Sequence, residues 1–337
     1  MIRLTLFFIS FGMLVFSLLQ VLNYWQYEER LQDITQLMQR KVSAADIEQQ
    51  ITQAIEQDNP EDARMYLALA DTFGYRIDKD FESQLAELES PLNSTLRQTG
   101  RFIDGFVDGK ADSGAGVAGA ITADFTVVGD VRDLKEQYDL YAQGQEVSEL
   151  IVTLAGVGVG LTAATLASAG SAAPAKSGVS ALKIAGRSGK LTPKLQKMLL
   201  RQGRDVFDYP LFLRTAKNEQ SIDGLRRAAV RAYNPQAMSA LGETAQQVNN
   251  VRRSTSTLDT IQLLRYVENA DDLRRLEKVS SQYGSLTRGI LRLAGKGAIG
   301  TVRALRHAAE LMVSLGAALV SLLATLFSVS GVFRSKQ

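Results

Sequence analysis

Polar and apolar positions fall into long blocks along this chain. Residues 4–22, 150–173 and 311–333 carry no charge over 19, 24 and 23 positions. At about 1.5 Å of rise per residue, a helix over each block can reach across a hydrocarbon core of about 30 Å. Tyr24, Trp25 and Tyr27 follow the first block, and such side chains favour the headgroup level. That block is longer than the apolar core of a cleaved leader, and bulky Leu22, Tyr24 and Trp25 stand where a small-x-small cleavage site would be needed. The pattern predicts an N-terminal anchor over 1–27, a central transmembrane helix over 150–173 and a C-terminal one over 308–333.

Between the blocks the apolar period is that of amphipathic helices. Ile47, Ile51 and Ile55 share one face after an N-cap candidate at Ser43, and Ala63, Tyr66, Leu67, Ala70 and Phe73 form a second face between Pro60 and Gly74. A helical hairpin over 43–74 is predicted, similar to one unit of a tetratricopeptide-type repeat but with no second copy. Helix should extend from the first span through residues 28–40 and return over 81–106, broken near Pro91. Further helices are expected at 191–200, 222–232, 257–267 and 271–284. The stretch 286–306 reads as one basic amphipathic helix. With six prolines and abundant Ala and Leu, the predicted fold class is all-α: a multi-span helical membrane protein with helical soluble regions on both sides.

Charge divides the same map in two. Residues 26–148 hold 11 Lys and Arg against 24 Asp and Glu, and residues 172–306 hold 24 against 10. Lys176, Lys183, Arg187 and Lys190 crowd one flank of the central block, and Arg288, Arg292, Lys296, Arg303 and Arg306 precede the last. Positive charge near span ends marks the cytoplasmic side. Three crossings of a bacterial inner membrane are therefore expected, with the N-terminus inside. An acidic region 28–106 and a Gly/Asp-rich loop and helix over 107–149 would be periplasmic. A basic region 174–285 and the amphipathic helix would be cytoplasmic, and Arg288, Arg292, Lys296, Arg303 and Arg306 would lie on anionic lipid. Nucleic acid is disfavoured as a partner by the lack of a recognition motif and by sparse aromatics.

Several short motifs suggest chemistry and lack its context. Gly114–Gly119 spells G-x-G-x-x-G, but the residues before it cannot form the buried strand that a dinucleotide site needs. The stretches 186–190 and 294–300 miss the spacing, or the Ser/Thr, of a phosphate loop. Asp124, Asp130 and Asp133 do not match a calcium loop and suit helix capping. His307 and Glu310, one turn apart at the last span, read as interfacial residues. Gly156 and Gly160 form a G-x-x-x-G pair, which lets helix backbones approach closely. Packing against the first span is the expected use, with homo-oligomerisation as the other.

The run Asp124, Phe125, Thr126, Val127, Val128, Gly129, Asp130, followed by a helix, a glycine turn at Gly144 and an apolar Ala/Gly helix, resembles pretoxin segments of bacterial polymorphic toxins over residues 121–190. The chain as a whole resembles uncharacterised membrane proteins of Gram-negative bacteria. That likeness implies an envelope location and no activity. With no cysteine and a single histidine, no catalytic, cofactor or metal constellation is expected. The expected function is a non-enzymatic envelope scaffold or partner-binding component, with other envelope proteins as partners. The alternative is a membrane-active pore, toxin-like or translocation component built from the Gly-rich centre, where residues 114–129 would join the central block in the membrane.

Overall fold

Helix signals written into the chain are used locally. Ser43 and Asp46 satisfy each other's backbone amides in a capping box, Asn59 caps the next helix ahead of Pro60, and Gly74 ends it at φ +73°. The computed structural model describes residues 2–25, 27–77, 80–89, 127–217, 219, 221–305 and 307–334. Within them the chain is all-helical apart from one two-stranded ribbon. The helices run α1 (Ile2–Tyr24), α2 (Ile34–Lys41), α3 (Ala44–Glu56), α4 (Pro60–Phe73), α5 (Asp80–Leu88), α6 (Val127–Ala142), α7 (Glu149–Ala167) and α8 (Ala173–Arg187). They continue as α9 (Pro193–Gly203), α10 (Tyr209–Ala216), α11 (Ile222–Ala232), α12 (Ser239–Ser254), α13 (Thr257–Leu263), α14 (Ala270–Tyr283), α15 (Leu286–Ala294) and α16 (Ala308–Arg334). Strands β1 (Tyr27–Leu31) and β2 (Thr301–Leu305) pair antiparallel, with Tyr27 opposite Leu305. The residues form two compact units, one from 1–32 with 301–337 and one from 33–300.

The first unit is an antiparallel hairpin of α1 and α16 that continues into the β1–β2 ribbon. Thr325 Oγ1 donates to Ser10 Oγ at 3.1 Å, and the rings of Tyr24 and His307 lie 5.6 Å apart at the other end. Ser10, Ser17 and Val21 on α1 are buried against Leu311, Ser314, Ala318, Ser321 and Thr325 on α16. Spacings of three and four along each helix place them in one seam. Phe8, Phe11, Phe16, Leu319, Leu323 and Phe327 are among the many large apolar side chains exposed on the outside. The hairpin is thus polar at its seam and apolar on its surface.

The second unit is built around α7. Every residue from Leu150 to Leu161 is buried, enclosed by α6, α8, α9, α10 and α11. A helix apolar on all faces must lie either in lipid or inside a protein core, and α7 is in the core here. Three helices, Thr5–Tyr24, Glu149–Ala167 and Ala309–Phe327, are long and apolar enough to cross a membrane, but 67% of the middle one is buried by protein against 17% and 28% of the others. The expected central span is one of three candidates by length and composition, and it is the one that neighbouring helices largely enclose.

The expected separation of the acidic and basic halves is corrected. Both lie in one unit, and their charges pair. Asp62 of α4 meets Arg288 and Arg292 of α15, Asp130 and Asp133 of α6 meet Lys176, Lys183 and Arg187 of α8, and Glu149 meets Arg204. Opposite net charges are here a sign of mutual contact. Other boundaries move as well. Residues 27–31 form a strand instead of continuing α1, and the basic stretch 286–306 is divided into α15, a 3-10 turn over Gly295–Ile299 and β2. The helices α8, α10 and α12 are not among the expected ones. Residues 90–126, with the G-x-G-x-x-G run and Asp124, lie outside the described residues.

One prediction tests the core placement of α7. A Cβ at Gly156 would clash with the Phe207 ring, whereas one at Gly316 of α16 would meet nothing. Gly156→Ala should therefore lower the stability of the purified protein by about 1–3 kcal/mol in denaturant titration, with Gly316→Ala unchanged. A neutral Gly156→Ala would place α7 outside the core.

Candidate functional site: the central helix, its polar clasp and its exposed tip

Glycine spacing allows α7 to be gripped on two faces. Gly156 and Gly160 accept the rings of Phe207 and Tyr233, and on the opposite face Gly158 accepts the Asp130 carboxylate. The predicted packing pair thus works within the chain, but its partners are aromatic rings from the α9–α10 and α11–α12 connections and not the first span. α6 runs antiparallel along α7, with Gln137 Oε1 accepting from the Ser148 amide at 2.8 Å.

Asp130 belongs to a buried charge network on α6 and α8. Lys183 Nζ lies 2.7 Å from Asp130 Oδ1 and 2.5 Å from Asp133 Oδ2, and all three side chains are sealed from solvent. Lys176 completes Asp130, and Arg187 joins Asp133 and reaches Glu136 at 3.4 Å. The positions follow from helix periodicity: Lys176, Lys183 and Arg187 recur at seven and four residues on α8, and Asp130, Asp133 and Glu136 at three on α6. Burial pushes the Asp130 carboxyl above its ordinary range, against the pull of Lys183 and Lys176. Burial pulls the Lys183 ammonium down, but Asp130 and Asp133 together outweigh it and hold its pKa above the ordinary 10.5. Asp130 and Asp133 are thus paired with cations inside the fold.

Three residues expected on the lipid surface are engaged elsewhere. Arg288 is almost buried between Asp62 and Asp259. Arg292 donates to Asp62 Oδ2 at 2.9 Å and to the Tyr66 hydroxyl at 3.4 Å. Lys296 lies 2.9 Å from Asp272 and 3.2 Å from Glu268. They hold α15 and the following turn against α4, α13 and α14, with Arg288 almost buried and Arg292 and Lys296 each still 43% exposed. Arg303 lies in β2, and Arg306 is outside the described residues. His307 Nδ1 is 3.7 Å from Glu310 at the start of α16.

Two openings lie along α7. A cleft of about 560 Å³ beside its first turn is lined by Glu149, Arg204, Asp208, Tyr209 and Tyr233, with Arg204 closing on Glu149 at 3.2 Å. A second groove of about 310 Å³ follows its last turns, between Val159, Thr162, Ala163 and Leu166 on one side and Arg226, Arg227, Val230 and Arg231 of α11 on the other. Sequence reasoning missed both, since their walls come from segments far apart in the chain. Among the described residues no group of three His, Cys, Asp or Glu side chains is placed to hold a metal ion.

The charge network sets an expectation for stability. Lys183→Met should cost about 3–5 kcal/mol, because two buried carboxylates lose their shared cation, and adding Asp130→Asn should recover part of that loss in chemical unfolding. Because the fold holds the Lys183 proton more tightly than the unfolded chain does, this contribution is complete below pH 10.5 and is lost as pH rises through the higher folded value. Lys296, also held above 10.5, acts in the same sense. The unfolding midpoint should drop on the alkaline side of pH 10.5, and by less in Lys183→Met.

Compared with known protein families, with curated proteins and with solved structures, the chain matches none.

Proposed function

We propose that the protein is a non-enzymatic, membrane-anchored scaffold or partner-binding component. In this reading α1 and α16 cross the bilayer as a two-span hairpin, and the body 33–300 stands on one side of it. The observation that carries it is the inverted polarity of the hairpin: hydroxyls in the seam and large apolar side chains outside. Water would penalise such a surface, whereas lipid tails favour it and leave small polar residues to join the helices. The β1–β2 ribbon supports a hairpin whose two chain connections leave from the same end.

Arg3, Arg334 and Lys336 flank one end of the hairpin and Arg30, Arg303 and Arg306 the other, so the count of positive charges is equal at its two ends. In this reading the ends of α1 and α16 remote from the ribbon lie inside and the whole body outside, which in a Gram-negative envelope is the periplasm. A body without cysteine suits that oxidising space.

Because the chain has no cysteine, single substitutions give a clean test. Gln57→Cys and Gln236→Cys should both react with an impermeant maleimide in cells with a permeabilised outer envelope, and Lys336→Cys only after lysis. Labelling at 57 with protection at 236 would restore a bilayer between the two halves.

A membrane-active reading draws on one specific feature, the spanning length of α7. If that helix is a releasable pore element, weakening the clasp with Lys183→Met should raise dye leakage from vesicles. The scaffold reading expects no leakage from either protein.

A further inference from the structure

The central uncharged stretch is longer than its burial explains. No Asp, Glu, Lys or Arg occurs from Leu150 to Ala175. Core placement accounts for this as far as Leu161, beyond which the surroundings change. From Thr162 to Ala175 every side chain is half-buried or exposed, and Leu166 is 82% exposed. A helix–turn–helix tip of fourteen residues thus stands at the surface without one charge. Surface segments of soluble proteins ordinarily mix in charged residues. The turn itself uses left-handed backbone at Ala169 and Gly170, φ +50° and +97°, to reverse the chain between α7 and α8.

The surroundings of the tip carry the same character. Val230 of α11 lines the groove beside it and is exposed, Ile222 is exposed at the start of the same helix, and Val128 is 75% exposed at the end of α6 that lies alongside the last turns of α7. Tyr141, at the opposite end of α6, is the other large apolar side chain exposed in this unit among the described residues. The rim is basic: Arg226, Arg227 and Arg231 line the groove. Arg226 and Arg227 also meet Asp223 at 3.6 Å and Glu219 at 3.0 Å, all on the exposed rim or partly so.

We propose that the uncharged α7–α8 tip, with Leu166 exposed in the last turn of α7 and the α11 arginines beside it, is a lipid-contact surface that dips into the headgroup layer of an anionic bilayer. This rests on the membrane-anchored reading above, since the hairpin keeps the body next to a bilayer and raises the local concentration of lipid. Apolar side chains of an interfacial element enter the boundary of headgroup and acyl chain while arginines on its rim reach phosphates. Arg226 and Arg227, each paired with a carboxylate but about half exposed, would exchange those partners for lipid phosphates.

The test uses the full chain carrying Leu166→Cys, labelled with an environment-sensitive fluorophore and reconstituted into vesicles of anionic or zwitterionic lipid. Flotation with the vesicles reports the hairpin. Emission from residue 166 reports the tip. In anionic vesicles the probe should shift to the blue and be quenched by nitroxide lipids at least about twofold more than the same probe at Gln143→Cys, near the other end of α6. Reversing Arg226, Arg227 and Arg231 to glutamate should lower that quenching several-fold while flotation is retained. Flotation without lipid quenching at 166 overturns the tip contact alone, and a blue shift accompanying that result assigns the tip to contact with a second copy of this chain instead. A chain that does not float overturns both readings.

Discussion

A helix that is apolar on every side has no surface to offer water, so it can be stable only when other groups enclose it completely. α7 imposes that requirement on the body. Twelve successive buried residues leave no solvent-facing stripe, and five helices are recruited to cover them. Its glycines decide how closely those helices come. At Gly156 and Gly160 the absent side chains are replaced by the Phe207 and Tyr233 rings, and at Gly158 by a carboxylate. The same economy recurs at Gly178, where α8 lies directly on the Ala245 carbonyl of α12. Close approach of backbones maximises dispersion contacts, and it also brings the charges of α6 and α8 into a space from which water is excluded.

That exclusion makes the ion network consequential. Removing charges from water is costly, and a buried pair breaks even only when its geometry supplies several partners to each ion. Lys183 has two carboxylates, Asp130 two ammonium groups and Asp133 a lysine and an arginine. The network joins the acidic to the basic half of the sequence, and the Asp62–Arg288–Asp259 group does the same at α4, α13 and α15. Segments more than two hundred residues apart are thereby matched by charge as well as by shape. A mispaired arrangement would leave one of these ions buried without its partner.

Much of the local structure is legible from residues alone: Ser43 and Asp46, Asn59 before Pro60, and Gly74 mark the α3–α4 hairpin through backbone chemistry that acts within a few residues. The long-range features are not. Hydropathy counts apolar residues without knowing whether lipid or protein will cover them, so α7 and α1 look alike. Charge totals count ions without knowing their partners, so Arg288 and Arg292 suggest a lipid surface when they are committed to Asp62. A finer signal was present. α1 and α16 place Ser10, Ser17, Ser314, Ser321 and Thr325 at seam spacing among bulky residues, whereas α7 has glycine and alanine with its exposed positions only at the far end. Hydroxyls in a stripe suit a helix pair surrounded by lipid; glycines on opposed faces suit a helix surrounded by other helices.

The two apolar environments in this chain therefore obey opposite rules, and the contrast bears on how the body meets a bilayer. In the hairpin, lipid already solvates the outer faces, so association rests on small residues and seam hydroxyls. In the body, burial of apolar area supplies the driving force, and polar groups are tolerated where they pair, as Asp130 and Lys183 do. The α7–α8 tip belongs to neither set. Its residues are too exposed to gain from the core and too uncharged to gain from water, while Arg226 and Arg227 beside it stay about half exposed in their pairs with Asp223 and Glu219. An interface between water and lipid is the environment in which both properties are favourable together, since apolar side chains and cations are stabilised at adjacent depths.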